Sequence, residues 1–407
     1  MPEILLINLV GTDRPGLTNA LTTSLAAHRV EIYDIGQAVI HDHLSLGMLV
    51  GLPEGPQSYE ALKDLLYTAH GLNLSIRFTP ISPEEYEVWV GQQAQERTIV
   101  TMLGRTISAS NLSALTGVLI EQGLNIEKIS RLSRRLSLKL TEEEQRSCIE
   151  FSVLGRPKDR QQMRQDFMSI AQDGDVDVAV QSDDMYRRHR RLFVFDMDST
   201  LIQCEVIDEL ARLHGVYDQV SAITEAAMRG ELDFKASFTQ RVGLLKGLEM
   251  EKVIAFADRL PLTEGAERLV DTLNKLGFKT AICSGGFTIF GERLKEILGI
   301  DFVFANELDH EDGRLTGKVK GEIVDAQRKA ALMRLLAADM NISLQQVVAV
   351  GDGANDLPMI GQAGLGIAFR AKPVVRANAK QALSVLGLDG MLYLIGVRDR
   401  EILSPES

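Results

Sequence analysis

The chain runs from an apolar segment into a pair of acids in the stretch Leu192-Phe193-Val194-Phe195-Asp196-Met197-Asp198-Ser199-Thr200. Alternate residues of a strand point the same way, so Asp196 and Asp198 leave the end of a buried strand on one side. Buried carboxylates need a partner or a metal ion, and ligands bind at the carboxyl ends of strands in open α/β sheets. The stretch therefore predicts either a site in which one acid attacks while the other moves a proton, or a turn that only caps the next helix.

Strand patterns alternate with helical patterns from this stretch onward. The predicted strands are Leu192–Phe195, Lys279–Cys283, Phe302–Ala305, Val347–Val350 and Leu365–Ala368. Such alternation indicates the α/β class, with a parallel, doubly wound sheet. Three strands end in polar groups, namely Asp196-Met197-Asp198, Ser284-Gly285-Gly286 and Gly351-Asp352-Gly353-Ala354-Asn355-Asp356. Because strand ends share one edge of such a sheet, we expect these groups to converge.

In the segment before this domain, the same succession of strands and helices occurs twice. The βαββαβ pattern predicts two α+β modules of the ferredoxin-like arrangement, at 1–84 and 96–183, followed by a third domain at 186–407. The first helices of the two copies have Asn19-Ala20-Leu21 and Ser113-Ala114-Leu115 at equivalent places. Self-similarity over this length indicates two copies of one structural unit.

Composition argues against several classes of protein. The 407 residues are 45% hydrophobic and 25% charged, which is typical of a globular protein of two or three domains. An excess of 56 acidic over 44 basic residues gives a net charge of −12, which is unfavourable for binding nucleic acid. There is no membrane-length apolar run, and Cys148, Cys204 and Cys283 are few and widely spaced. We therefore expect a cytoplasmic protein with reduced thiols that binds neither membranes nor nucleic acid.

The third domain resembles the haloacid dehalogenase superfamily of phosphotransferases in an ordered set of motifs: Asp196 with Asp198, Ser284, Lys329, and Asp352 with Asp356. The resemblance implies that Asp196 is a nucleophile, which forms an aspartyl-phosphate, and that Asp198 is the general acid and base. It also implies that Ser284, Gly285 and Lys329 bind the phosphoryl group. Taken singly, Ser284 could only cap a helix and Lys329 could be a solvated helix residue.

The same resemblance implies a Mg²⁺ cofactor. A phosphomonoester carries about two negative charges near neutral pH, so an anionic carboxylate attacks it only when that charge is neutralised. The implied ligands are Asp196, Asp352 and the backbone carbonyl of Asp198, because Mg²⁺ prefers oxygen ligands. Asp356 and Asn355 are assigned to the support of the metal-binding loop, and Asn355 is also assigned to the substrate pocket.

An insert rich in helix formers, about 205–263, separates the first two predicted strands and indicates a helical cap over the site. It resembles the phosphoserine phosphatase family in Glu205, Met228, Phe234 and the phrase Ser237-Phe238-Thr239-Gln240-Arg241-Val242. The resemblance implies O-phospho-L-serine as the substrate, with Arg241 on its carboxylate and Glu205 on its ammonium group. Met228 and Phe234 are assigned either to the pocket wall or, equally, to the core of the cap.

The first module contains a second phrase with a family resemblance, Val10-Gly11-Thr12-Asp13-Arg14-Pro15-Gly16-Leu17. It resembles the strand-to-helix turn of ACT domains, which are regulatory modules that bind amino acids. The resemblance places Asp13 and Gly16 at a regulatory site and implies L-serine as an effector and a homodimer. The bare Pro15-Gly16 pair could also only turn the chain. The second copy has no Pro-Gly pair, so a ligand is not assigned to it.

Two alternatives stay open at this level. One is a related phosphatase for another small phosphomonoester, or a phosphotransferase that uses another acceptor. The other is an amino-acid-sensing regulator whose hydrolase domain is vestigial. The presence of Asp196, Asp198, Lys329 and Asp352 together favours an enzyme.

Overall fold

The structure, a computed structural model, describes residues 3–92, 95–141, 144–173 and 175–402. The predicted outer ends of the first and third domains, residues 1–2 and 403–407, therefore lie outside the described residues. The chain divides into two compact units, Met1–Gln95 and Glu96–Ser407. In the described part of the chain, every helix is too short or too polar to cross a lipid bilayer.

The first unit is one four-stranded antiparallel sheet with its helices. Its elements are β1 (Glu3–Thr12), α1 (Leu17–Ala27), β2 (Glu31–Ile40), β3 (His43–Leu52), α2 (Pro56–Gly71), β4 (Ser75–Ile81) and α3 (Pro83–Gly91). This succession confirms the predicted βαββαβ order along the chain, and the strand order across the sheet is β2-β3-β1-β4. Leu21 and Leu65, one from each of α1 and α2, are fully buried in its core with Ile7 and Met48. The predicted end of the first module, at residue 84, falls within α3, which Ser82 and Glu85 begin with a capping box.

The second unit begins with the second copy of the module. Its elements are β5 (Arg97–Gly104), α4 (Ala109–Glu121), β6 (Asn125–Arg131), β7 (Ser147–Leu154), α5 (Arg160–Asp173) and β8 (Val176–Ser182). The strand order β6-β7-β5-β8 matches that of the first copy. The turns before the first helices differ, since α4 begins with a Ser108 capping box and α1 begins after Gly16 with φ of 93°.

The third domain contains the remaining elements. They are β9 (Leu192–Phe195), α6 (Val206–His214), α7 (Tyr217–Met228), α8 (Phe234–Leu244), α9 (Met250–Ala257), α10 (Ala266–Lys275), β10 (Lys279–Phe287), α11 (Thr288–Leu298), β11 (Phe302–Glu311), β12 (Arg314–Lys320), α12 (Ala326–Asp339), β13 (Val347–Gly351), α13 (Leu357–Gln362), β14 (Leu365–Phe369), α14 (Pro373–Asn378), β15 (Gln381–Leu383), α15 (Met391–Leu394) and α16 (Asp399–Ile402).

The sheet of this domain has the order β12-β11-β10-β9-β13-β14-β15. Every neighbouring pair is parallel except β11 and β12, which form an antiparallel hairpin. The predicted parallel α/β sheet is confirmed, whereas β12 and β15 were not predicted. The central strand β9 is buried on both faces, because Phe193 and Phe195 join one apolar cluster while Leu192 and Val194 join another.

Helices α6 to α9 form the predicted insert between β9 and β10. Its two connections run side by side, since the amide of Gln203 donates to the Pro261 carbonyl and that of Thr263 to the Leu201 carbonyl, both at 2.9 Å. The far end of the insert is bound to the β11–β12 hairpin, where the amide of Gly247 donates to the Leu315 carbonyl at 2.8 Å. The cap is therefore fixed to the domain at both ends.

The second module is bonded directly to the third domain. The buried Asp177 carboxylate of β8 accepts hydrogen bonds from the amides of Ser384 and Val385, at 2.7 and 2.8 Å. Burial raises the pKa of Asp177 in spite of these two donors. Arg105, in the turn before α4, forms an ion pair of 2.6 Å with Glu264, which directly follows the second cap connection. These contacts explain why the two form one unit.

Candidate active site

The Asp196 carboxylate lies at the carboxyl edge of the sheet, between two neighbouring strands. Its backbone amide donates to the carbonyl of Val350 in β13 at 2.8 Å. Its Oδ1 accepts a hydrogen bond from the Met197 amide at 2.7 Å. Asp352 directly follows β13, which pairs with β9. The predicted convergence of the first and fourth strand ends is thus confirmed by parallel pairing.

Lys329 lies in the first turn of α12 and is fully buried. Its Nζ is 2.9 Å from Asp196 Oδ1 and 2.8 Å from Asp356 Oδ1. Burial alone lowers the pKa of a lysine, but the two carboxylates outweigh it and raise the pKa of Lys329 above its ordinary value. The alternative of a solvated Lys329 is therefore wrong, and a fixed positive charge lies beside Asp196.

Three carboxylates crowd together next to this charge. Oxygen atoms of Asp196, Asp352 and Asp356 all lie within 4.8 Å of one another. Burial, with the nearby Asp196 and Asp356 carboxylates, raises the pKa of Asp352 to about 7. Close buried carboxylates repel each other, and a set of anionic oxygen donors is what Mg²⁺ prefers. The donor set therefore fits a divalent cation.

The members of this cluster differ in part from the predicted ligands. Asp356 was assigned to a supporting role, and its Oδ2 does accept a hydrogen bond from the Gly353 amide at 2.9 Å, but its carboxylate also lies within the cluster. The side chain of Asp198 is not in the cluster, which agrees with a role for its backbone carbonyl alone. Thr200, which the sequence analysis did not single out, donates to Asp352 Oδ1 at 3.2 Å.

Asp198 follows Asp196 on a sharp turn in which Ser199 has φ of 56°. Burial, with the nearby Glu205 and Asp196 carboxylates, raises the pKa of Asp198 well above its ordinary value. A raised pKa favours the protonated acid, which can donate to a leaving group. Gly286 lies against Asp198, since a Cβ at Gly286 would be 2.9 Å from Asp198 Oδ2. Only glycine allows this close approach.

Ser284 and its two glycines form a bulge near the end of β10. The register with β11 shifts between Cys283 and Phe287, and the amide of Gly286 donates to the Ser284 hydroxyl at 2.9 Å. The predicted end of the strand at Cys283 is wrong, because β10 continues to Phe287 and α11 begins only at Thr288. Ser284 and Gly285 thus lie on a strand bulge and not at the start of a helix.

The cap contributes a cation and an anion. Arg241 of α8 is half-buried, and its Nη1 is 3.5 Å from the Thr224 hydroxyl. Its Nε is buried without a hydrogen-bond partner among the described residues. Burial lowers the pKa of Arg241, although the carboxylates of Asp208, Glu205 and Asp198 oppose this shift. A buried guanidinium with an unused donor can bind a ligand carboxylate.

Glu205 precedes α6 and accepts a hydrogen bond from the Ser199 hydroxyl at 2.8 Å. Desolvation raises the pKa of the Glu205 carboxyl, although the residue keeps contact with solvent. Glu205 and Arg241 therefore offer opposite charges near Asp198, as the predicted amino-acid pocket requires.

The three remaining pocket residues have different surroundings. Phe234 stacks on Phe238 with ring centres 5.8 Å apart, and its Cζ lies 3.5 Å from the Cβ position of Gly285. Phe234 is therefore next to the bulge. Asn355 is half-buried in the loop after β13. Met228, at the end of α7, is 70% exposed, so the structure does not bring it into the pocket.

Besides the Thr200 hydrogen bond, two contacts at the site were missed in the sequence analysis. Lys235 of the cap forms an ion pair of 3.1 Å with Asp325, the residue that caps α12. Asn306 is 2% exposed and binds the bulge through Gly285. The position of Asn306 was a usable signal, because it directly follows the predicted strand Phe302–Ala305, whose end was not among the three considered in the sequence analysis. No local pattern indicates the Lys235–Asp325 contact.

The predicted regulatory turn lies in the first unit. Gly16 has φ of +93°, and among the described residues, apart from its chain neighbours, no atom lies within 4 Å of a Cβ built on it. Asp13 is exposed, and its amide donates to the Asp42 carbonyl at 2.7 Å. The turn before α1 is thus open and has a backbone conformation that favours glycine.

Comparison with known families agrees with this architecture. Residues 190–364 match the haloacid dehalogenase-like hydrolase family, and residues 3–79 and 97–181 each match the ACT domain family.

Two full-length relatives are similar to the chain. A phosphoserine phosphatase of Streptomyces coelicolor is 41% identical over 98% of this chain and 93% of its own length. Phosphoserine phosphatase SerB2 of Mycobacterium tuberculosis is also 41% identical, over 98% of this chain and 94% of its own length. Among solved structures, a hydrolase of the same superfamily from Salmonella enterica serovar Typhi aligns with a TM-score of 0.63 and 32% identity, covering 74% of this chain and 99% of its own.

Proposed function

The chain belongs to the phosphoserine phosphatase family of haloacid dehalogenase-like hydrolases, and we propose that it hydrolyses O-phospho-L-serine to L-serine and phosphate, as the final step of serine biosynthesis. The observation that supports this most is the buried Asp196–Lys329–Asp356 arrangement beside the Ser284 bulge. The unpartnered Nε of Arg241 supports the amino-acid part of the substrate.

A Mg²⁺ ion is part of the proposal, because two of its expected ligands, Asp196 and Asp352, form a compact set of anionic oxygens with Asp356. Asp196, Asp352 and the Asp198 backbone carbonyl would hold it, and Asp356 would support the loop that carries Asp352. The ion would neutralise phosphate charge and polarise the phosphoryl oxygens.

The reaction proceeds in two displacements. Asp196 attacks phosphorus, the bond from phosphorus to the serine oxygen breaks, and Asp198 donates its proton to that oxygen. Asp198 then takes a proton from water as the water attacks phosphorus, and the bond to Asp196 breaks to release phosphate. Lys329 stabilises negative charge on the phosphoryl group, with donors of Ser284 and the Gly285 amide. The raised pKa of Asp198 suits its first role, as an acid.

The cap recognises the rest of the substrate. Arg241 binds the carboxylate through charge-assisted hydrogen bonds, and Glu205 accepts from the ammonium group. Phe234 covers the bulge and excludes water from the phosphoryl group. Asn355, half-buried in the loop after β13, completes the assigned pocket, whereas Met228 is exposed and is left out of the proposal.

Phosphate release from O-phospho-L-serine tests this function, measured with Mg²⁺ and with EDTA beside a panel of other phosphomonoesters. We expect activity that EDTA abolishes and that strongly favours phosphoserine. Equal activity over the panel would support the alternative of a general small-phosphomonoester phosphatase. Transfer to an added hydroxyl acceptor would support a phosphotransferase, and inactivity on every substrate would support a sensor with a vestigial domain.

Feedback through the ACT domains is the regulatory part of the proposal. L-serine binds the first domain at the open turn of Asp13 and Gly16, at the start of α1, because the N-terminal end of a helix favours a carboxylate. A homodimer and a cytoplasmic location complete the proposal. The two buried free thiols, Cys148 and Cys283, support a reducing compartment.

Gly16→Val tests the regulatory turn. A β-branched residue is strained at φ of +93°, so we expect the inhibition by L-serine to be lost while turnover stays within about twofold. Gly55→Val is the matched control, because Gly55 also precedes a helix of this module, with φ of +85° and no neighbour within 4 Å. Unchanged inhibition in Gly16→Val, or equal loss in both variants, would remove this turn from the proposal.

A further inference from the structure

Asn306 lies in β11 beside the bulge of β10 and is almost completely buried. Its Nδ2 donates to the carbonyls of Gly285 and Gly286, at 2.8 and 3.2 Å. Its Oδ1 accepts a hydrogen bond from the Val324 amide at 2.9 Å. The orientation of the amide is determined by these partners, since its nitrogen faces two acceptors and its oxygen faces a donor.

The two groups that Asn306 joins belong to different parts of the site. Gly285 and Gly286 follow Ser284 in the bulge, and the Gly286 amide holds the Ser284 hydroxyl. Val324 directly precedes Asp325, which caps α12 through the Arg328 amide at 2.9 Å. The amide of Lys329 donates to the Asp325 carbonyl at 2.9 Å, so the lysine is on the first turn of that helix.

A small movement of the bulge would affect the reacting groups. The space at Gly286 is already limiting, because a Cβ there would be 2.6 Å from Met197 Cε and 2.9 Å from Asp198 Oδ2. Gly285 is close to the chain before α12, since its Cβ position is 3.6 Å from the Val324 carbonyl oxygen. Errors of about 1 Å in such positions can cost about 100-fold in rate.

We propose that Asn306 is a positioning residue for phosphoryl transfer, which holds the phosphate-binding bulge at a fixed distance from Lys329. The Asn306 side chain binds both the bulge of β10 and the segment that leads into α12, and these two carry the groups proposed to contact the phosphoryl group. Asn306 does not touch the substrate, so it acts through Ser284, Gly286 and Lys329. The inference rests on the proposed roles of those residues.

Asn306→Ala and Asn306→Ser test the proposal. We expect Asn306→Ala to lower kcat about tenfold or more and to raise the inhibition constant of inorganic phosphate by a similar factor, because the donors and the lysine lose their common anchor. The hydroxyl of Asn306→Ser can still donate to one carbonyl. Its kcat and phosphate inhibition constant should therefore lie between those of Asn306→Ala and the unmodified enzyme.

Thr280→Val is the matched control for a purely structural effect. Thr280 is fully buried at the opposite end of β10, where its hydroxyl accepts from the Asp301 amide and donates to the Asp301 carboxylate. We expect Thr280→Val to lower the melting temperature about as much as Asn306→Ala does. Its kcat and its inhibition constant for phosphate should change less than twofold.

The outcomes separate this inference from the proposed function. If the unmodified enzyme releases no phosphate from any substrate, the proposed function fails. If it is active but the folded Asn306 variants change only the melting temperature, as Thr280→Val does, Asn306 is structural and the inference is wrong. If Asn306→Ala does not fold, Asn306→Ser alone decides: a fall in melting temperature with kcat and phosphate inhibition changed less than twofold would make the inference wrong.

Discussion

In the part of the chain that the structure describes, the polar side chains at the sheet edge already have partners within the protein, whereas some of those in the cap do not. At the sheet edge, Lys329 already contacts Asp196 and Asp356, and all three are buried. In the cap, Arg241 has a buried Nε without a partner among the described residues, and Met228 is exposed. A preorganised charge cluster stabilises a transition state without reorganisation, whereas an unused donor is satisfied only by the right ligand. In the proposed function, the edge therefore determines the reaction and the cap determines the substrate.

Asp196→Asn should have the largest effect, because an amide cannot replace the attacking carboxylate. We expect kcat to fall more than about 1,000-fold on every phosphomonoester, measured by phosphate release at saturating Mg²⁺. Asp301→Asn is the control, as the Asp301 carboxylate binds Lys279 and Thr280 at the other end of the sheet. Retained turnover in Asp196→Asn, or a loss confined to phosphoserine, would contradict the division between edge and cap.

Arg241→Met should produce a smaller, substrate-dependent loss. Removing a charge-assisted contact costs about 2–3 kcal/mol, so kcat/KM for phosphoserine should fall about 30- to 150-fold. An aryl phosphate has no carboxylate, and its kcat/KM should change less than about threefold. Arg229→Met, which removes a cap arginine paired with Glu231 on the surface, is the control and should change neither value. Equal losses on both substrates would show that Arg241 supports the fold or the chemistry.

Lys235→Met should have the smallest effect of the three. The Lys235–Asp325 ion pair joins the cap to α12 but is open to solvent on the lysine side, and such pairs contribute about 0–1 kcal/mol. We expect KM for phosphoserine to rise about two- to fourfold at low salt, with kcat nearly unchanged, and the difference to shrink at high salt. Lys252→Met breaks an ion pair within the cap, with Glu249, and should leave KM unchanged. Identical behaviour of the two variants would mean that Lys235 does not hold the cap.

The sequence predicts the strands and their polar ends because those features are local. The apolar run before Asp196 and the acids after Val350 identify two strands, and parallel pairing then brings them together. The bulge at Ser284 was not predicted, because glycines suit a turn after a strand as well as a bulge within it. What determines it is the pairing of Phe287 with Asn306, which is a contact between distant segments.

The pocket in the cap could be predicted only through resemblance to a family. Arg241 and Glu205 are 36 positions apart, and nothing in the local pattern of either brings them together. Lys235 and Asp325 are still farther apart, and their contact depends on how the whole cap packs on the domain. Such contacts follow from tertiary structure, whereas Asn306 could have been found by applying the strand-end rule to all strands.

The bonds between the second ACT domain and the hydrolase domain determine where the protein can be shortened. A protein truncated to begin near residue 186 would lose the Asp177 carboxylate, which accepts hydrogen bonds from the backbone amides of Ser384 and Val385. It would also lose the side-chain amide of Gln181, which donates to the Leu394 carbonyl. The truncation would also remove Glu150 from the buried Arg187. Each buried polar group left without a hydrogen-bond partner lowers the free energy of unfolding by about 1–3 kcal/mol. A cut at the boundary between Gln95 and Glu96 avoids all of these losses, so fragments for expression or crystallisation should keep the second ACT domain attached.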